Sequence, residues 1–151
     1  MKRRTALSAL AAALAARAFP VAANAALPSV QVFKSASCGC CAAWVDHMRG
    51  AGFPVAVTHV GDTTAARQRF GMPDRYGACH TAIVAGYVVE GHVPAGEVKR
   101  LLALKPRALG LAVPSMPAGS PGMEMGSRQD PYEVLLVDAN GRASVFSAYP
   151  K

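Results

Sequence analysis

Acidic residues are scarce in this chain, nine Asp and Glu against sixteen Lys and Arg, and no pair of them is spaced for two-carboxylate acid–base chemistry. There is no Ser/His/Asp set and no glycine loop of the phosphate-cradling kind, which argues against triad hydrolysis and nucleotide chemistry. No internal repeat occurs. Long apolar runs are missing outside the N-terminus, and the run there is interrupted by Arg17 and is too short to span a bilayer, so no stable membrane anchor is expected.

That N-terminal stretch reads instead as an export leader. Lys2, Arg3 and Arg4 form a positive start, an Ala/Leu-rich segment follows, and Ala23-Asn24-Ala25 offers the small residues a signal peptidase needs. Cleavage is expected after Ala25, leaving one domain over residues 26–151; Arg3-Arg4 also fits a twin-arginine signal. The leader holds four of the sixteen basic residues, so the remaining part carries twelve against nine, a net of +3. No basic block that would track phosphates remains, and nucleic acid is not an expected partner.

What is present is sulfur. Three of the four cysteines fall within four residues, Cys38-Gly39-Cys40-Cys41, and the fourth, Cys79, precedes His80. A thiolate is a soft ligand for Cu(I) or Zn(II) and also the nucleophile of disulfide exchange. In an oxidising compartment cysteines usually pair as structural staples. This spacing suits stapling poorly, because a Cys38–Cys40 bridge closes a very small ring and adjacent Cys40 and Cys41 rarely bridge.

The elements expected around these residues alternate. Val30–Phe33 reads as a strand, and Cys41, Trp44, Val45 and Met48 share one face of a helix stopped by Gly50 and Gly52. A second strand covers 55–60, and Asp62 caps a helix over 63–70. Strands at 81–85 and 88–93 follow, then a helix from Pro94 to Leu104. A tail completes the chain: an extended piece at 109–113, a Met/Pro/Gly-rich loop at 114–126, and two strands around Asn140-Gly141, a strong hairpin signal. The expected fold class is therefore α/β, a thioredoxin-like βαβαββα core with a Met/Pro/Gly-rich loop and a C-terminal β-hairpin.

This topology brings distant residues together. The third strand runs antiparallel to the first, so Cys79-His80 should reach the end of the sheet where Cys38-Gly39-Cys40-Cys41 begins the first helix. The fourth strand returns His92 to the same edge. The helix N-terminus favours thiolate at Cys40 and Cys41. The loop adds Met116, Met123 and Met125 without helical or strand periodicity, and thioethers suit Cu(I). Eight residues, 106–113, are enough to carry that loop back across the domain at ~3.3 Å each. His47 reads as a solvated helix residue, His59 as half exposed, and Trp44 as core or as a lid over the site.

Taken in order, Cys38-Gly39-Cys40-Cys41, Cys79-His80-Thr81, Gly86-Tyr87, Glu90-Gly91-His92-Val93-Pro94-Ala95 and Gly110-Leu111-Ala112-Val113-Pro114 through Gly119-Ser120-Pro121-Gly122-Met123 resemble the CopG-like family of periplasmic metal-binding proteins, often found with copper-resistance genes. The resemblance runs from about Val30 to the final hairpin. It implies a thioredoxin-like fold, a periplasmic location, copper bound by the cysteines with His and Met help, and a part in Cu(I)/Cu(II) handling. The expected ligands are Cys38, Cys40, Cys41, Cys79, His80, His92, Met116, Met123 and Met125, with Cu(I) favoured and room for more than one ion. Other periplasmic copper-handling proteins are the expected partners. Two alternatives stay open: a thiol–disulfide oxidoreductase using Cys38 and Cys41, and a structural zinc site. Against the first, Cys40 sits inside the pair, and Cys79-His80 stands where a thioredoxin presents a cis-proline. Against the second, a closed structural site explains neither the Met loop nor export.

Overall fold

A computed structural model describes residues 26–150; the expected leader, residues 1–25, lies outside them. The described elements are β1 (Val30–Lys34), α1 (Gly39–Gly50), β2 (Val55–His59), α2 (Thr63–Arg69), a 3-10 turn at Asp74–Tyr76, β3 (His80–Val84), β4 (Tyr87–Glu90), α3 (Ala95–Leu104), β5 (Gly110–Ala112), β6 (Tyr132–Val137) and β7 (Ala143–Tyr149). The described residues thus form a mixed α/β fold with three α-helices and one seven-stranded sheet of order β2-β1-β3-β4-β5-β6-β7.

Alternation along the strands divides the sheet into two faces. Val30, Val32, Ala82, Val84, Val89 and Leu111 meet Trp44, Val45 and Met48 of α1 and Val98 and Leu101 of α3 in the main core. The neighbours on the opposite face, Ile83, Val88 and Ala112, pack with Phe70, Met72 and Tyr76, which follow α2. Each of the buried Val, Leu and Met side chains among them contributes roughly 1.5–3 kcal/mol on burial. Asp62 caps α2 as its residue type demands, its carboxylate accepting from the N–H groups of Thr64 and Ala65 at 2.8 and 3.1 Å.

Strand direction decides what meets what. β1 pairs with β3 antiparallel, Lys34 opposite His80, so the end of β1 and the start of β3 share one edge. β3 pairs with β4 antiparallel, Thr81 opposite Glu90, which returns Glu90, Gly91 and His92 to that edge. The strand expected over 88–93 stops at Glu90, because Gly91 takes φ +72° and turns the chain, its N–H donating to the His80 carbonyl at 3.0 Å. β5 lies parallel to β4, and the β6–β7 hairpin extends the sheet beyond it.

Candidate metal centre

The first turn of α1 carries the cysteine cluster. Cys38 is the N-cap, and its sulfur accepts from the Cys41 N–H at 3.4 Å. Cys38 and Cys41 are joined in a disulfide, while Cys40 and Cys79 are free. Disulfide formation removes Cys41 from the thiolates expected at this helix terminus and makes the bridged pair the one that dithiol exchange requires. Cys40 Sγ lies 3.4 Å from Cys38 Sγ and 3.9 Å from Cys79 Sγ, across 39 residues of chain in the second case. Cys41 Sγ is 3.5 Å from the Cys79 carbonyl oxygen.

Two imidazoles complete the cluster. His92 Nε2 is 3.0 Å and His80 Nδ1 is 3.4 Å from Cys79 Sγ. His92 Nδ1 is 2.8 Å from the Pro121 carbonyl, so Nδ1 donates and the lone pair of Nε2 faces Cys79. Both rings are fully buried. His80 stacks against Trp44 at 4.5 Å between ring centroids, and the Trp44 indole N–H donates to the Val93 carbonyl at 2.9 Å. Trp44 is therefore core, backing the site. The ligand atoms form two sets sharing Cys79: the four cysteine sulfurs, and Cys79 with His80 and His92, each within 4.8 Å of one another.

Burial favours the neutral forms of Cys79, His80 and His92 in the metal-free site. Burial pushes the Cys79 thiol up to about 12, with the Cys40 thiol and the Glu90 carboxylate adding to the effect. Burial takes His80 down to about 3, and the neighbouring His92 ring adds to this. His92 is lowered by burial, opposed by its bond to Pro121 and by Glu124. A half-buried Cys79 thiol beside two buried imidazoles suits a soft cation that displaces the thiol proton.

The sequence reading overlooked Glu90. Its carboxylate, fully buried, accepts from the Thr81 hydroxyl at 2.6 Å and the Ala78 N–H at 2.8 Å, flanking Cys79-His80 on both sides. Arg67 reaches it at 3.5 Å and also holds Asp74 at 3.1 Å. Burial raises the Glu90 carboxyl from its ordinary value, and its hydrogen bonds oppose that. One acid ending the apolar run Val88-Val89 was the available signal. His47 also departs from expectation: its Nε2 accepts the Ala95 N–H at 3.0 Å, capping α3, so it is structural rather than solvated.

The Met loop approaches the site through its backbone. Gly122, at φ +85°, sits so close to α1 that a Cβ there would lie 2.7 Å from both the Cys40 carbonyl oxygen and the Trp44 nitrogen. Met123 follows directly and is half-buried. Met125 is 70% exposed, and Met116, 49% exposed, lines a groove with Pro114, Pro117, Asp130 and Tyr132.

Two solved structures titled copper resistance protein copG, forms 2 and 1, share 43% identity with this chain. They cover 82% and 83% of it and 99% of their own length, with TM-scores of 0.78 and 0.77. The chain belongs to the CopG family. A family model described as "Protein of unknown function, DUF411" matches residues 76–123, the stretch from the Cys79-His80 turn to Met123. The comparison with curated proteins returned no match. As a CopG-family chain it has copper-resistance homologues and a Cys/His cluster with the chemistry to bind metal. Among the described residues, no helix is long and apolar enough to cross a membrane.

Proposed function

We propose that this CopG-family chain is an exported, periplasmic copper-binding protein. Its core is read as thioredoxin-like, from the β1-α1-β2-α2-β3-β4-α3 order and the cysteines opening α1. Residues 1–25 serve as the leader and 26–151 as the metal-binding domain. Cu(I) is the favoured ion, held by Cys38, Cys40, Cys41 and Cys79 as thiolates with His80 and His92. Bridging thiolates allow more than one ion. Met123 and Met125 join as adaptable thioether ligands, since Gly122 already rests on the first turn of α1. Met116 is a more distant candidate from the same loop.

The observation that carries this reading is the 3.9 Å approach of Cys40 Sγ to Cys79 Sγ, with His92 Nε2 at 3.0 Å from the latter. Two thiolates bound to one ion at about 2.3 Å each stand roughly 3.8 Å apart in tetrahedral geometry. Cycling between Cu(I) and Cu(II) in copper resistance is part of the proposal. Two Cu(II) ions, as substrate, would each take one electron from the Cys38 and Cys41 thiols, which close to a disulfide and release two protons; an external dithiol would then return two electrons and two protons and reopen the pair. Donors and acceptors of the metal are expected among other periplasmic copper-handling proteins. Titration of the reduced protein with Cu(I) and Zn(II) against a competing chelator tests the reading: Cu(I) should bind far more tightly, and preference for Zn(II) overturns it.

The Cys38–Cys41 bond favours one second reading, a thiol–disulfide oxidoreductase. Disulfide reductase activity that survives Cys40→Ser, while metal binding is lost, would favour exchange as the native role.

A further inference from the structure

We infer that the Cys38–Cys41 bond selects which class of ion the centre accepts. With the bond closed, Cys79, His80 and His92 form a site for one divalent ion of borderline softness; with it open, the thiolates form a Cu(I) site. The inference rests on the copper reading above and deepens it.

The two ligand sets meet only at Cys79. Closing the disulfide removes two of four sulfurs from the first set, because a bridged sulfur bears no charge and binds soft cations weakly. None of the second set's atoms lies in the bridge, so that set is intact in the disulfide form. One thiolate and two neutral imidazoles are a borderline donor set, suited to Cu(II) or Zn(II); four thiolates are soft and suit Cu(I).

The second set is also built for coordination. The Pro121 carbonyl takes the Nδ1 proton of His92, which fixes the tautomer and turns a lone pair toward Cys79 Sγ. His80, fully buried, turns Nδ1 toward Cys79 Sγ at 3.4 Å, and its Nε2 has no hydrogen-bond partner, so nothing on the ring competes with a ligand role for Nδ1. Three protein ligands leave a fourth position open to water or to Cys40 Sγ, 3.9 Å from Cys79 Sγ. Switching between the sets is a balanced exchange. A dithiol reductant gives two electrons and two protons to the Cys38 and Cys41 sulfurs and itself becomes a disulfide.

Co(II), a redox-inert probe with visible d–d bands and a near-ultraviolet thiolate charge-transfer band, tests this on the full chain. Disulfide-intact protein should bind one Co(II) with the charge-transfer band, and Zn(II) should displace it. Cys79→Ser should abolish the band. His92→Gln should lower Co(II) affinity of the disulfide form about a hundredfold and Cu(I) affinity of the reduced form less than tenfold. Circular dichroism and the far ligand set report folding of each variant independently. The inference is overturned if the disulfide form takes no Co(II), if bound Co(II) lacks the thiolate band, or if His92→Gln costs both ions the same factor. Loss of Cu(I) binding by reduced wild-type protein sinks the copper reading itself, whereas absence of Co(II) binding with Cu(I) binding intact sinks the selection alone.

Discussion

Two stretches bring their residues to the first turn of α1, and they do it by opposite means. The paired ends of β3 and β4 present side chains: Cys79, His80 and His92 are aimed by strand register and by Glu90 bonded on both sides of Cys79-His80. The loop over 114–126 presents backbone: the Pro121 carbonyl orients His92, and Gly122 rests on Cys40 and Trp44. Met125 in that loop is exposed, while both imidazoles are fully buried. The buried Cys/His groups come from the sheet, and the loop contributes supporting backbone contacts.

The largest way to break this contrast is Glu90→Leu. It leaves the Ala78 N–H and the Thr81 hydroxyl without their acceptor, while Arg67 keeps Asp74. A loss of about 3 kcal/mol in urea unfolding is expected, at roughly 1–3 kcal/mol for each buried donor left unsatisfied; a change under about 0.5 kcal/mol would remove Glu90 from the account. Acid should act on the same strand ends. His80 titrates near 3 in the fold against an ordinary 6.5. Its depressed value means the folded state resists protonation, so its contribution is whole above about pH 6.5 and falls away as the pH drops toward 3. Through His80 alone, metal-free protein should lose roughly 3 kcal/mol between pH 7 and 4, and the acid loss should be clearly smaller in His80→Phe, where His92 still contributes.

Smaller effects fall on metal affinity. Cys79→Ser should weaken Cu(I) binding by more than about a hundredfold, since Cys79 belongs to both ligand sets. In wild type, the Cys79 proton is held up to about 12, so Cu(I) must expel it. Affinity should therefore rise about tenfold per pH unit between 7 and 9, seen by chelator competition. Gly122→Ala should lower it about tenfold by lifting the whole loop from α1, which takes away the support of His92 and the reach of the thioethers together. The Met123→Leu/Met125→Leu double variant should cost only a fewfold in Cu(I) and nothing in Zn(II), separating thioether from backbone. If the double variant costs more than Gly122→Ala, the contrast is inverted.

Most element boundaries were legible because periodicity and punctuation are local. Cys41, Trp44, Val45 and Met48 form the buried face of α1 as their spacing requires, and Asn140-Gly141 turns the hairpin. Antiparallel pairing of β3 with β1 carries Cys79 to Cys40, which topology alone predicted. Glu90 was not legible, since its partners Ala78, Thr81 and Arg67 are scattered between 9 and 23 residues away. The capping role of His47 was hidden for the same reason, its partner Ala95 being 48 residues distant.

The order of strands and helices, the soft donors and the apolar stripe of α1 follow from residue type and spacing, because each depends on neighbours within a few positions. Which nitrogen of His92 faces Cys79 and what Gly122 leans on depend on packing between segments far apart in the chain. Such contacts have no period and no local spacing, so folding alone decides them.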